Sequence, residues 1–167
     1  MKYYLNKFKT IAHKLNNKVL KKKQFELEVG FWFDSVVLKL QKKTWTNKSA
    51  NVQNPESSIF FSLWVNEKGI KNNKMFYNIH ALKLRQLTGY SIESRKFAES
   101  FRKRFKVFQD QWPNVSVSFG PQTLMQGWIE KDLENLEFDI IKLVNQFLKI
   151  HFIIDELLNK GKKIKRN

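Results

Sequence analysis

A chain of 167 residues, 42% of them hydrophobic, has the length and apolar share of one globular domain with a sizeable core. It has no cysteine, which excludes disulfides, thiolate metal sites and cysteine nucleophiles and favours a cytoplasmic setting. Thirty-one basic residues oppose 15 acidic ones, and the net charge of +16 points to anionic partners without bearing on fold.

The charge is uneven. Residues 1–24 carry eight lysines and no acid, residues 66–111 carry a net +7, and residues 112–159 a net −4. The last eight residues add +5. No run approaches the roughly 18 apolar residues of a membrane span. Lysines punctuate the N-terminus too often for a secretory signal, so neither segment is expected.

In chain order, residues 2–22 predict an amphipathic helix. Tyr4, Phe8, Ile11, Leu15 and Val19 form its apolar stripe, and lysines fill the rest. Residues 25–33 alternate as a half-buried strand, with Phe25, Leu27, Val29, Phe31 and Phe33 on one face. The alternation then changes phase. A bulge or tight turn at Asp34-Ser35 explains the change, with Val36, Leu38 and Leu40 continuing the apolar set. A short helix capped by Asp34 competes with that reading. Residues 47–57, with Pro55, read as a polar connection.

Ile59 to Val65 and Met75 to about Leu84 predict an antiparallel pair joined by a turn over Asn66–Lys74. A helix follows over about 92–111, burying Phe97, Phe101, Phe105 and Phe108, and Pro113 stops it. Val115–Phe119 reads as a short strand. Leu124–Ile129 reads as an edge strand with Gly127 at a bulge. From Asp132 to Asn159, Leu133, Leu136, Ile140, Leu143, Phe147, Ile150, Ile154 and Leu157 recur at steps of three and four. That spacing alone suits a coiled-coil seam. Phe138, Ile141, Val144, Leu148 and Phe152 widen the apolar face beyond a seam, so a core helix under a sheet is the better reading.

The expected architecture is therefore α+β. An antiparallel sheet of about five strands packs on the long C-terminal helix with two further helices. Residues 1–159 form one domain and 160–167 a disordered basic tail. Both faces of the middle strands are rich in apolar residues. Either helices cover both, or one aromatic face is open to a ligand.

Motifs for catalysis are missing. No phosphate loop, dinucleotide fingerprint, nucleophile elbow or zinc-protease helix occurs. No cofactor and no metal site is expected. His151 and Asp155 stand one helical turn apart, as a metal pair would, but lack a third ligand nearby. Glu26 and Glu28 share a strand face, which solvent-facing alternation explains equally well. His80 shares a strand face with Asn78, and Lys83 and Arg85 follow it. It is the candidate for acid–base chemistry.

The basic segment 83–106 carries the main functional expectation. Lys83, Arg85, Arg95, Lys96, Arg102, Lys103 and Lys106 form a strand-and-helix patch for nucleic acid or another polyanion. Four of the five arginines, including Arg104, lie in it, and arginine forks suit phosphate. Phe60, Trp64 and Phe76 on an open sheet face suit stacking on bases. Two other readings stand beside this one. One is a small-molecule or enzymatic pocket between the sheet and the long helix, with His80 at its mouth. The other is a structural subunit that forms a homodimer or pairs with another protein through the last helix.

Overall fold

The computed structural model describes residues 1–47, 56–130, 132 and 134–164. Five strands form one antiparallel sheet in chain order: β1 (Phe25–Trp32), β2 (Ser35–Lys42), β3 (Ser58–Asn66), β4 (Lys74–Leu82) and β5 (Thr123–Glu130). The described helices are α1 (Lys2–Lys14), α2 (Asn17–Lys22), α3 (Glu67–Lys71), α4 (Ser94–Phe105) and α5 (Leu136–Lys160). The fold is α+β, as the alternating strand runs and short turns predict.

Two helices beyond those expected have local causes. The first predicted helix is split. Leu15 takes extended backbone, and Asn16 accepts a hydrogen bond from Val19 N–H at 3.3 Å to start α2. The buried stripe then passes from Leu15 to Leu20 instead of Val19. The turn between β3 and β4 holds α3 because Asn66 caps it, its side-chain oxygen accepting from Gly69 N–H at 2.8 Å.

The phase change after β1 is a two-residue turn at Phe33-Asp34, one residue earlier than expected, with Phe33 at φ 54°. Trp32 pairs with Ser35 across it. Leu27 then faces Leu40, Val29 faces Leu38, and Phe31 faces Val36, so both strands turn their apolar sets to the same side.

Two edge expectations are corrected. The segment 115–119 is no strand; a single bridge joins Ser116 to Gln126. The irregularity in β5 lies at Leu124, because Ile79 pairs with Met125 while His80 pairs with Thr123. Leu124 and Met125 are consequently both buried. Gly127 serves another purpose: a Cβ there would lie 2.2 Å from the Tyr77 hydroxyl, which donates to the Pro113 carbonyl at 2.6 Å.

The inner face of the sheet is the core. Val36, Leu38, Leu40, Phe61, Leu63, Val65, Tyr77 and Ile79 are fully buried. α5 crosses that face, where Phe147 meets Phe25, Trp45 and Phe61. α1 covers the β1–β2 side, and α4 packs on α5 and β5. Of the apolar positions expected in the last helix, Leu133 lies outside the described residues, and Phe138 is exposed. Phe152 is also exposed, though its ring meets Phe108 and the Arg104 guanidinium. After α5 the chain is held through Ser91 N–H to the Gly161 carbonyl and Lys163 N–H to the Gly89 carbonyl. Of the expected tail, residues 165–167 lie outside the described set, as does most of the Pro55 connection.

Among the described residues, no helix is long and apolar enough to cross a membrane.

Candidate functional site: the outer face of the sheet

With the odd-numbered residues of β3 and β4 committed to the core, the even-numbered ones form the outer face. Register orders them into rows across the strands. One row runs Gly30, Val37, Trp64, Phe76, Trp128. The next is polar throughout: Glu28, Lys39, Ser62, Asn78, Gln126. The third holds Phe60, His80 and Thr123. A polar row thus lies between two rows built largely of rings. The result is a groove of about 840 Å³ floored by Ser62 and Asn78 and lined by Phe60, Trp64 and His80.

The floor is rigid. Ser62 and Asn78 are both buried at 2% exposure, and the Ser62 hydroxyl donates to Asn78 Oδ1. The walls hold one another. Trp64 and Phe76 stack with centroids 4.4 Å apart, and Phe60 and His80 meet at 5.3 Å. Lys39 Nζ lies 4.6 Å from the Phe60 ring centre, and Lys74 Nζ lies 3.8 Å from that of Trp128. The ends carry acids: Asp34, whose carboxylate accepts from the Ser35 hydroxyl at 3.0 Å, and Glu56.

His80 is half-buried in this groove. Its Nδ1 lies 3.3 Å from the Gln122 carbonyl oxygen and 3.2 Å from Thr123 Oγ1. A carbonyl oxygen only accepts, so the contact to Gln122 favours the tautomer with the proton on Nδ1 and the lone pair on Nε2. Burial lowers the His80 pKa below its usual 6.5, against the hydrogen bond to Gln122, which raises it. Burial thus favours the neutral form of the imidazole.

The basic patch is only partly assembled. Arg102 folds back on the 119–124 turn: Nε donates to the Leu124 carbonyl at 3.1 Å, and Nη2 contacts the carbonyls of Phe119, Gly120 and Thr123 at 2.9–3.1 Å. Arg104 pairs with Glu156, and Lys96 with Glu93 at 3.1 Å. Arg85, Arg95, Lys103 and Lys106 are exposed, and Lys83 is half-buried at the left-handed end of β4. Glu99 stands between Arg95 and Lys106 on their side of α4.

The other acid and histidine candidates serve structure. Asp155 accepts from Lys42 Nζ at 2.6 Å and from Trp45 Nε1 at 2.9 Å, and His151 Nδ1 stands 3.4 Å away. Burial alone would raise its pKa; these three contacts outweigh burial and hold it at about 2. Glu26 lies 3.8 Å from Lys43. Among the described residues no three histidine or acidic side chains gather as a metal site would need.

The groove escapes single-residue reasoning because its parts come from all five strands. The readable signal is the polar Ser62 within the apolar run Ile59–Val65 of β3, opposite Asn78. The space between sheet and long helix, where one reading puts a pocket, is packed with rings; the cavity lies on the opposite side. Comparison with family models, curated proteins and solved structures finds no match.

Proposed function

We propose that the chain binds a small, flat, largely apolar ligand in the outer-face groove. The observation that carries this is the buried Ser62–Asn78 pair beneath walls of rings in a cavity of about 840 Å³. Ligand sites are typically clefts of ~300–1,000 Å³ with apolar walls and a few placed polar groups. Asn78 and His80 Nε2 supply those groups, and Trp64 and Phe60 the walls.

Base stacking along a nucleic acid strand has less support. The ring faces of Phe60 and Trp128 carry lysines, Trp64 and Phe76 stack on each other, and Asp34 and Glu56 would repel phosphates. The polyanion reading rests on exposed Arg85, Arg95, Lys103 and Lys106.

Titration with indole and adenosine, followed by the NMR signals of His80 and the Trp64 indole, tests the proposal. Saturable shifts centred on those two residues, lost in Val37→Trp, are expected. Shifts that spread over α4 instead, or tight salt-dependent binding of a thymidine oligonucleotide without change at His80, favour the polyanion reading.

A further inference from the structure

We propose that the free edge of β1 is a docking site for an extended segment of another protein, apolar at its centre and acidic at its ends, which joins the sheet as a sixth strand.

The two edges of the sheet differ. At β5, the 114–118 segment covers the edge: Ser116 and Gln126 exchange backbone hydrogen bonds of 2.8 and 3.0 Å, and Asn114 donates to the Trp128 carbonyl at 3.0 Å. β1 pairs with β2 alone among the described residues. In an antiparallel pair alternate residues turn their amide and carbonyl away from the partner strand. From the two-residue turn between Trp32 and Ser35 backward, Phe31, Val29 and Leu27 therefore present theirs along this proline-free edge, the template for strand addition.

An apolar trough runs beside this edge on the core side. Leu27 and Val29 are half-buried, and Phe31 is 50% exposed. Met1, Leu5 and Ala12 of the first helical segment are likewise only partly covered. Their spacing puts them on one side of α1. At one end a cavity of about 700 Å³ opens between α1, α2 and β1, floored by Leu20 and Leu27. At the other, a cavity of about 730 Å³ is bounded by Met1, Phe31 and the fully exposed Phe33. An added strand would set alternate side chains over this trough.

Charge selects the occupant. Lys9, Lys21 and His13 rim the first cavity, and Lys68 and Lys71 the second. The acids nearby are Glu26, beside Lys43; Asp34, bonded by Ser35; and Glu67, in the first turn of α3. Glu28 faces outward from β1, so acids on the outer side of an added strand are disfavoured. A second copy is a poor occupant. Each copy carries +16, and the first 24 residues flanking the edge hold lysines and no acid.

A labelled peptide with a valine–threonine alternation at its centre and two aspartates at each end is the probe, read by fluorescence anisotropy. Saturable binding is expected. It should weaken at least ~tenfold when lysine replaces aspartate, or when alternate amides are N-methylated in the phase that pairs with β1. The double variant Lys9→Glu, Lys21→Glu alters exposed residues, so the fold is kept, and it should weaken binding to a similar degree. Hydrogen exchange should slow at β1 amides on peptide addition. Failure of the peptide to bind overturns the proposal, as does equal binding of the N-methylated or the lysine peptide. Sedimentation as a dimer that Leu27→Lys dissociates would assign the edge to a second copy and also overturn it.

Discussion

Phe61 on the third strand and Phe147 on the long helix lie face to face, with ring centroids 4.4 Å apart and planes 5° from parallel. Both are fully buried, and Phe25 and Trp45 meet Phe147 edge-on at 5.6 and 6.2 Å. The contact fastens the helix to the middle of the sheet. Phe147→Ala removes the shared partner of three rings, and a loss of about 3–5 kcal/mol is expected in urea unfolding. A loss below ~1 kcal/mol would mean that α5 is not seated here.

Asp155 ties the same helix to the sheet by charge. Its pKa of about 2 in the folded chain lies below the 3.8 of an unperturbed aspartate. The stabilisation is therefore complete above 3.8 and is lost as pH falls towards 2. The shift corresponds to about 2 kcal/mol as an upper figure, since the carboxylate is partly exposed. Asp155→Asn should lower stability at neutral pH, leaving buried Lys42 without its anion, and should flatten the acid limb of the stability curve. An unchanged acid limb in that variant would assign the acid sensitivity to other carboxylates.

Arg102 separates a structural arginine from a ligand-binding one. Its guanidinium serves four carbonyls of the turn leading into β5. Arg102→Ala is expected to cost about 1.5–3 kcal/mol and to loosen the 119–124 turn, seen as faster hydrogen exchange at Thr123 and Leu124. Affinity for an oligonucleotide should stay within ~twofold. If affinity falls strongly while stability holds, Arg102 belongs to a phosphate site after all.

The fold is legible where one physical demand acts on the chain. β3 alternates Ile59, Phe61, Leu63 and Val65 against Ser62 because only one of its faces is sealed, and the wide apolar face of α5 announces a core helix. Legibility fails where two demands coincide. The stripe from Tyr4 to Leu15 would run on to Val19 in one helix, but Asn16 offers a cap and the chain bends. Phe60, Trp64 and Phe76 have the composition of core residues. Whether they are buried depends on which side of the sheet the helices take, and that is decided by residues elsewhere. The segment 83–106 reads as a patch because its charges are counted by type. The structure spends the Arg102 and Arg104 forks on the chain's own carbonyls and on Glu156. The groove and the free edge of β1 are relations between elements, set by register and cover, and no single stretch contains them.

The meander order of the strands has a kinetic consequence. Each strand sits beside its neighbour in sequence, and β1–β2 and β3–β4 are joined by short connections, so these two hairpins can form as the chain emerges during synthesis, with little loop-closure cost. The helix that seals their apolar side follows the last strand. Until Phe147 arrives, Phe61, Leu63, Val65, Tyr77 and Ile79 face solvent on a nearly finished sheet with a bare edge. A nascent chain of this order is sticky late in its synthesis, and shielding by a chaperone or by the ribosome surface matters most over its final quarter.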